Sequence, residues 1–345
     1  MRGDIGNLDC ASVITLGYKA SAEQFAPQAL LDYALAAEEH GFDSVAVSDH
    51  FQPFRHTGGH APAALPWLGA LAARSERIRI GTSVSTPTLR FHPSMVAQAF
   101  ATLGCLAPGR VWLGAGTGES LNEVPPLGIE WPKFGERLAR LREAIELIRT
   151  LWREERVSFE GRYYRTFRAT VYDRPDEPVP ILIAAAGPKA AEFAGAEGDG
   201  FITTSGKARE LYVDTLLPAV ERGAREAGRD PAAAERLLEV KVSFDHDLER
   251  AREECGFWAA LALPAESKQG IDDPLELERL AAEEHVKAES RFIVTGDPEE
   301  VADRVAPYVD MGFRHLVFHS PAPDQWPFLE RFGAEVLPLL RSRFG

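Results

Sequence analysis

An acid and an imidazole stand side by side in Ser48-Asp49-His50-Phe51. A histidine titrates near neutral pH, so His50 could accept a proton, while Asp49 could orient it or hold a ligand. The preceding apolar residues 44–47 follow a predicted helix that ends at Gly41, which is typical of a buried parallel strand. A (β/α)8 barrel carries its chemistry where such strands end. Taken alone, a helix-capping aspartate beside a loop histidine explains the same pair.

A second candidate is the glycine-rich segment Gly114-Ala115-Gly116-Thr117-Gly118-Glu119. Glycines let the backbone approach a ligand closely, and Glu119 offers a carboxyl group for proton transfer or hydrogen bonding. The segment has neither the spacing of a dinucleotide-binding loop nor the Gly-Lys-Ser/Thr of a P-loop, so a nucleotide site is weakly indicated. A tight turn with a solvated glutamate is the plain alternative.

Two further features suit an anion. Ala186-Gly187-Pro188 precedes a predicted helix, where free backbone N–H groups point outward, although an ordinary helix start explains it equally well. Three cations, Lys207, Lys268 and Arg291, follow turns or an insertion in separate segments. They could converge on a phosphate, with the arginine fork and the lysine point charges acting together. Spacing alone does not separate this from solvated surface charge.

These candidates recur at the ends of strands in an alternating pattern of strands and helices. Apolar runs predict strands at 13–18, 45–47, 78–84, 111–114, 179–184, 200–203, 237–244 and 316–319. Helices are predicted between them, at 27–41, 62–74, 93–103, 131–152, from 188, 208–227 and 298–310, with another closing the chain. The alternation favours an α/β fold, a (β/α)8 TIM barrel, over a doubly wound open sheet.

Two segments interrupt the alternation. Residues 155–178 include a predicted hairpin at 157–164, and residues 250–290 form a charge-rich insertion. We expect a single barrel domain over 1–345, with both insertions covering the C-terminal rim. Two domains of ordinary size are the alternative.

Composition excludes several classes of partner. With 45% hydrophobic and 26% charged residues, the 345-residue chain is typical of a globular protein and not of a disordered one. The 38 basic and 52 acidic residues give a net charge of −14, which argues against nucleic acid and anionic membranes as partners. A small anionic ligand would need local positive charge.

Cysteine use and the chain start point to the cytoplasm. Cys10, Cys105 and Cys255 are far apart and lack a Cys-x-x-Cys motif, so neither a disulfide framework nor a metal site is expected. Residues 1–12 lack the layout of a signal peptide. The longest uncharged stretch, 91–109, contains prolines and glycines and predicts a buried helix and turn rather than a membrane span.

Six strings of residues, in order along the chain, carry a resemblance to a known family. They are residues 16–25 (LGYKASAEQF), 47–53 (VSDHFQP), 116–119 (GTGE), 204–207 (TSGK), 257–258 with 271–274 (FW and IDDP), and 316–319 (LVFH). Together they strongly resemble the F420-dependent glucose-6-phosphate dehydrogenases, which are luciferase-like α/β barrels. The resemblance runs from about residue 14 to the C-terminus.

The resemblance implies hydride transfer from sugar C1 to C5 of coenzyme F420, giving 6-phosphogluconolactone. It implies that His50 accepts the C1 hydroxyl proton, that Glu119 serves N1 of the deazaflavin, and that Glu23 lies beside the sugar-side proton network. Asp49 would touch the cofactor and steady the site. A cis peptide is implied at Ser83-Val84, and a homodimer is the family expectation.

The resemblance also implies two sets of contacts. Cofactor contacts are expected from Asp49, Ser83, Val84, Thr86, Thr117, Gly118, Glu119, Asn122, Ala186, Gly187 and Pro188. Contacts to a hexose 6-phosphate are expected from Phe54, Thr204, Lys207, Lys268, Gln269 and Arg291.

Two positions depart from the family pattern. Phe54 stands where the family has a tryptophan, and Gln269 where it has a histidine. The first change removes an indole N–H donor and stacking surface, so we expect a more permissive sugar site. The alternatives are an F420-dependent oxidoreductase of another alcohol, an FMN-dependent monooxygenase on the same barrel, and a non-catalytic deazaflavin carrier.

Overall fold

A computed structural model of the chain describes residues 14–264, 266–268 and 270–345. Within these residues the strands are Thr15–Ala20 (β1), Ser44–Val47 (β2), Arg79–Thr82 (β3), Val111–Ala115 (β4), Ile181–Ala184 (β5), Gly200–Thr204 (β6), Glu235–Phe244 (β7), Ile293–Thr295 (β8) and His315–His319 (β9). The α-helices are Pro27–Glu39 (α1), Ala64–Arg74 (α2), Pro93–Leu106 (α3), Ser120–Leu127 (α4), Phe134–Arg153 (α5), Pro188–Glu197 (α6), Leu217–Glu226 (α7), Leu248–Glu254 (α8), Pro274–Glu283 (α9), Pro298–Asp310 (α10), Trp326–Arg331 (α11) and Leu337–Phe344 (α12).

The parallel strands close into a barrel. Strands β1 to β7 pair in chain order, and β9 pairs with both β7 and β1. Side chains fill the inside and helices cover the outside, which explains why the strands are apolar and buried on both faces. The predicted (β/α)8 TIM barrel is therefore confirmed.

One strand was not predicted. β8 pairs in parallel with the far end of β7, with Val242 opposite Ile293 and Phe244 opposite Thr295. It therefore extends one barrel strand instead of joining the ring. With three residues, it is too short to give an alternation pattern. The first strand was also predicted two residues early, so Lys19 lies within β1 and does not follow it.

Outside the two insertions, the helices differ from the prediction at α4 and before α7. The helix α4 is not among the predicted helices, and Pro125 and Pro126 lie in its second half. It ends at Gly128, whose backbone is in the left-handed region. The helix predicted near 208–227 consists of a π-helix, Leu211–Leu216, followed by α7. Single π turns are frequent at functional sites.

Both interruptions of the alternation contain ordered structure. Backbone bridges join Val157 to Ala169 in an antiparallel hairpin, which extends beyond the predicted 157–164. The 250–290 segment holds a 3-10 helix, Cys255–Ala262, and α9. Side chains of Asp247 and Asp273 accept hydrogen bonds from the first turns of α8 and α9, which fixes where these helices begin.

A polar network closes the barrel at the N-terminal ends of its strands. Glu235 at the start of β7 accepts paired hydrogen bonds of 3.1 and 3.0 Å from Arg79. Its Oε1 also lies 2.7 Å from Nδ1 of His315, whose Nε2 lies 2.6 Å from the Ser44 hydroxyl. Burial lowers the pKa of His315. The neutral ring therefore donates from Nδ1 to Glu235 and accepts the Ser44 hydroxyl at Nε2.

This network predicts a pH-dependent part of stability. Burial alone would raise the pKa of Glu235, but hydrogen bonds from His315 and Arg79 lower it from 4.5 to about 2. The contribution is therefore complete above pH 4.5 and is lost as the pH falls towards 2. We therefore compare the unfolding free energies of the native chain and of Glu235→Gln, measured by urea titration at pH values across this window. Between pH 4.5 and pH 2 the native chain should lose roughly 2 kcal/mol more of this free energy than the variant does.

The exposed Glu226 on α7 provides the matched control. Glu226→Gln should keep the native pH dependence. Parallel curves for the native chain and Glu235→Gln would contradict the assignment.

Within the described residues, no helix is long and apolar enough to cross a bilayer. Cys105 is exposed and Cys255 is buried, both as free thiols, while Cys10 lies outside the described residues.

Candidate active site

A cavity of about 560 Å³ lies at the carboxyl ends of the barrel strands. This volume is within the usual range for a small-molecule site. Most residues singled out in the sequence line it: Glu23, Asp49, His50, Phe54, Ser83, Val84, Thr86, Thr117, Gly118, Glu119, Asn122, Ala186, Gly187 and Thr204. The fold therefore brings candidates from six separate strand ends to one cavity.

His50 and Glu23 form the central pair. His50 Nδ1 lies 3.0 Å from Oε1 of the buried Glu23 carboxylate, although the angle is not that of a hydrogen bond. The other carboxylate oxygen of Glu23 is buried without a partner. The ring edge of His50 faces Phe54, with centroids 5.3 Å apart. A carboxylate at this distance would stabilise a protonated imidazole, as a proton acceptor requires.

Asp49 is held on several sides. The Ser85 hydroxyl donates to Asp49 Oδ2, and Arg90 Nη2 donates to the Asp49 carbonyl at 2.7 Å. Arg90 is itself paired with the fully buried Glu123 at 3.1 Å. Asn122 Oδ1 accepts hydrogen bonds from the backbone N–H groups of the two residues after His50. The loop that carries His50 is thus fixed by side chains from two neighbouring strand ends.

One half of the cavity, the glycine side, is formed by the ends of β3, β4 and β5. The Ser83–Val84 peptide is cis, as expected. A Cβ on Gly116 would lie 2.7 Å from Val84 Cγ2, so only glycine lets the two segments lie this close. Gly118 has a φ of +80°, which also favours glycine.

The glycine side also includes the start of α6. Gly187 is the N-cap residue, no side chain caps it, and a Cβ there would meet no atom within 4 Å. Pro188 is the first helical residue. The space beside Gly187 is open, and the first N–H groups of an uncapped helix favour an anion.

The opposite half, the insertion side, is formed by Phe54, Trp258, Leu261, Lys241 and His319. Trp258 packs on Phe54 with ring centroids 6.4 Å apart and on His319 with centroids 4.5 Å apart. The 250–290 insertion therefore contributes directly to the wall of the cavity.

Buried charges lie beneath both halves. Lys19 Nζ lies 3.2 Å from Glu239 and donates to the Ser83 carbonyl at 2.6 Å. Lys241 Nζ lies 3.1 Å from the same carboxylate. Burial alone would raise the pKa of Glu239, but the two ammonium groups hold it well below its usual range. Glu239 is therefore ionised at neutral pH, and the group carries a net positive charge.

The predicted cations act on one another. Burial, followed by the charges of Arg291, Lys241 and Lys268, lowers the pKa of Lys207. Burial and the charge of Arg291 lower the pKa of Lys268, against the carboxylate of Glu119. We call Lys207, Lys241, Lys268 and Arg291 the cation cluster. Lys241 and Glu119 line the cavity, whereas Lys207, Lys268 and Arg291 are not among its lining residues and are linked to it through these charges. Gln269 lies outside the described residues.

The loop that carries Lys207 is anchored by tyrosines. The Tyr212 hydroxyl donates to the Thr204 carbonyl at 2.7 Å and accepts from the Lys207 N–H at 3.3 Å. The Gly206 N–H donates to the Tyr308 hydroxyl at 3.0 Å. Tyr212 lies in the π-helix before α7. The irregular helix therefore positions the loop.

Several of these residues are absent from the sequence-based candidates. Arg90 is the one Lys, Arg, Asp or Glu among residues 80–109, and a lone charge in such a stretch signals a buried ion pair. Glu239 and Lys241 are two residues apart in an apolar strand, so they share one face. These two signals could have identified both groups.

Comparisons with known proteins agree with this geometry. A family model for luciferase-like monooxygenases matches residues 11–315. The chain is 60% identical over 333 residues to an F420-dependent glucose-6-phosphate dehydrogenase from Nakamurella multipartita, covering 96% of this chain and 98% of the relative. The homologue of the same name from Beutenbergia cavernae is also 60% identical, over 332 residues, with coverage of 96% and 98%.

Solved structures show the same fold. An F420-dependent secondary alcohol dehydrogenase, in complex with an F420-acetone adduct, superposes with a TM-score of 0.89 at 35% identity, covering 95% of this chain and 99% of the other. An F420-dependent tetrahydromethanopterin reductase from Methanopyrus kandleri gives a TM-score of 0.77 at 22% identity, with coverage of 95% and 100%, and supports the fold alone.

Proposed function

The chain belongs to the luciferase-like barrels and, within them, to the F420-dependent glucose-6-phosphate dehydrogenases, and from this premise we propose how its own residues perform that reaction. The enzyme oxidises glucose 6-phosphate at sugar C1 to 6-phosphogluconolactone, with C5 of coenzyme F420 as the hydride acceptor. The substrate lies on the insertion side and the cofactor on the glycine side.

The observation that carries the proposal is the cation cluster, whose member Lys241 lines the same cavity as His50 and Glu23. The chain has a net charge of −14, yet four cationic side chains interact with one another, and one of them, Lys241, lines the cavity. Such a cluster costs free energy through mutual repulsion unless an anion occupies it. A phosphate dianion on the substrate supplies that charge, whereas an apolar alcohol does not.

The glycine side fits a phosphate-bearing deazaflavin. The Ser83–Val84 segment lines this side of the cavity, Gly116 lets it lie close to the end of β4, and the uncapped α6 start offers N–H groups to a phosphate. When bound, F420 supplies the acceptor carbon for the hydride. The residues that would hold it are Asp49, Ser83, Val84, Thr86, Thr117, Gly118, Glu119, Asn122, Ala186, Gly187 and Pro188.

The chain's own groups handle protons and alignment. His50 accepts the proton of the C1 hydroxyl, because a carbinol carbon loses hydride more easily as its O–H proton is withdrawn. Glu23, at 3.0 Å, stabilises the resulting imidazolium. Glu119 holds or donates a proton at the deazaflavin N1. Thr204, Lys207, Lys268 and Arg291 bind the phosphate, and Phe54 borders the sugar.

The compartment, oligomeric state and partners of the enzyme are inferred from its composition and its family. We assign it to the cytoplasm as a single-domain homodimer whose insertions cover the C-terminal rim, with no nucleic-acid or membrane partner. The separated cysteines support the compartment, and the net charge of −14 argues against nucleic acid and anionic membranes as partners.

The reaction is tested by following the deazaflavin absorbance of oxidised F420 with purified protein. Glucose 6-phosphate is compared with free glucose and with mannose and fructose 6-phosphates. Loss of the band with phosphorylated sugars, and little with glucose, supports the proposal. Turnover confined to unphosphorylated alcohols would refute it, as would oxygen consumption with FMN or tight F420 binding without any turnover.

The same sugar panel tests the effect of Phe54. Phe54 is half-buried between His50 and Trp258, so a larger indole there would restrict the pyranose. Phe54→Trp should lower activity on mannose and fructose 6-phosphates more than on glucose 6-phosphate. An equal loss on every sugar would contradict the permissive-site interpretation.

The tyrosine anchor gives a second prediction. Tyr212→Phe leaves the Thr204 carbonyl and the Lys207 N–H without their shared partner, so the phosphate-binding loop loses its fixed shape. We expect KM for glucose 6-phosphate to rise about 5- to 10-fold, with kcat much less affected. Tyr172→Phe is the control, because Tyr172 is 89% exposed. An unchanged KM in Tyr212→Phe would show that the anchor is dispensable.

A further inference from the structure

His319 is a buried histidine that the proposed reaction does not use. It ends β9, lines the cavity and is 2% exposed, yet neither ring nitrogen has a hydrogen-bond partner among the residues that the structure describes. A buried polar atom without a partner carries a desolvation cost, so such a pair of atoms in a cavity wall points to a ligand. His319 is also part of the string 316–319, for which the sequence suggested no role.

The neighbours of His319 place it on the substrate half of the cavity. Its ring meets Trp258 edge to face at 4.5 Å, and Phe292, which follows Arg291, lies 5.8 Å away. In the barrel it pairs in register with Lys241, a member of the cation cluster. None of these contacts involves the glycine side. The ligand that satisfies His319 is therefore on the side of the sugar.

The charge state and tautomer of His319 follow from its surroundings. Burial lowers its pKa, outweighing the nearby carboxylate of Glu239, so the ring is neutral at pH 7. Glu239 Oε1 lies 3.7 Å from Nδ1. An ionised carboxylate on that side favours the proton on Nδ1, because the N–H dipole then points towards the negative charge. Nε2 is left with a lone pair, and Trp258 fixes the plane of the ring.

We propose that His319 determines sugar specificity by accepting a hydrogen bond at Nε2 from one ring hydroxyl of the hexose. Glu239, paired with Lys19 and Lys241, is the positioning residue that selects this tautomer. This inference rests on the proposed function. It adds a neutral hydroxyl contact to a site whose other substrate contacts are mostly cationic and directed at the phosphate.

The test pairs a variant with sugars that lack one hydroxyl. The native enzyme and His319→Phe are compared in kcat/KM on glucose 6-phosphate and on its 2-deoxy, 3-deoxy and 4-deoxy analogues. A phenyl ring keeps the packing against Trp258 but has no nitrogen. We expect the penalty for one missing hydroxyl, about tenfold in the native enzyme, to disappear in His319→Phe while the other two penalties persist.

Two more measurements keep the test decisive. His319→Gln retains an acceptor and should recover part of the lost discrimination. The dissociation constant of oxidised F420, from its fluorescence, should stay within about twofold in His319→Phe, because the substituted residue is on the insertion side. That constant also reports whether the variant folds.

Three results would overturn the inference. If all three penalties persist in His319→Phe, no hydroxyl binds this ring. If F420 affinity falls more than about tenfold while the penalties are intact, the ring serves the cofactor instead. If the native enzyme turns over no hexose 6-phosphate, the proposed function itself fails and the inference fails with it.

Discussion

Replacing His50 with alanine is expected to lower kcat for glucose 6-phosphate by about 10²- to 10⁴-fold, the usual contribution of a positioned general base. The imidazole next to Glu23 is then missing, so this base no longer accepts the C1 hydroxyl proton as hydride leaves. The measurement is the steady-state rate of loss of the deazaflavin band. F420 affinity, from fluorescence, should change little, because the loop remains held by Ser85, Arg90 and Asn122.

Two variants sharpen this result. His56 lies six residues further on and is exposed, so His56→Ala should retain native kcat. Glu23→Gln removes the charge that stabilises protonated His50, so it should lower kcat by a smaller factor. In the double variant, the two losses should not add, because both act on the same proton. Additive losses, or a kcat within threefold of native in His50→Ala, would remove His50 from the role of base.

Replacing Arg291 with methionine is expected to lower kcat/KM for glucose 6-phosphate by about 10²- to 10³-fold. A guanidinium can make two charge-assisted hydrogen bonds to a phosphate, each contributing about 1.5–3 kcal/mol. Arg291 Nε is buried and has no hydrogen-bond partner in the described part of the chain. The slow reaction of free glucose should be unchanged, since glucose presents no phosphate to Arg291.

Charge and position are separated by two further variants. Arg291→Lys keeps the charge but loses the planar fork, so its loss should be intermediate. Lys287 is an exposed cation four residues earlier, and Lys287→Met should behave as native. If Arg291→Met lost the same factor on glucose as on glucose 6-phosphate, Arg291 would be a structural residue and the phosphate would bind elsewhere.

The barrel could be predicted because its signal is local. Each buried strand is an apolar run ended by glycine or a polar residue, and each crossover helix shows its own periodicity. The strand β8 and the helix α4 are not predicted, because neither has a clear local signal. β8 is too short to show a period, and α4 contains two prolines whose local preference is overridden by its packing.

Candidate site residues could be predicted only where they are adjacent in the sequence. Asp49-His50 and the 116–119 loop stand out because polar residues and glycines follow strands directly. Other contacts join residues that are far apart in the sequence. Arg90 and Glu123 are 33 positions apart, and Lys19 and Glu239 are 220 positions apart. Such partners depend on register around the closed barrel, which periodicity does not encode. The family resemblance supplied roles for the cations, and the fold then placed their charges close together.

The pairing of β8 with β7 has a consequence for how substrate range can change. The chain leaves β7 at Phe244, opposite Thr295, and returns at Ile293, opposite Val242, so the intervening segment begins and ends on adjacent strands. That segment contains Trp258, Lys268 and Arg291, whereas the glycine side comes from β3, β4 and β5. The segment between β7 and β8 can therefore be exchanged as one unit while the barrel strands stay unchanged. Grafting another relative's segment between these two strands offers a route to new alcohol substrates without rebuilding the glycine side, where we propose that the cofactor binds.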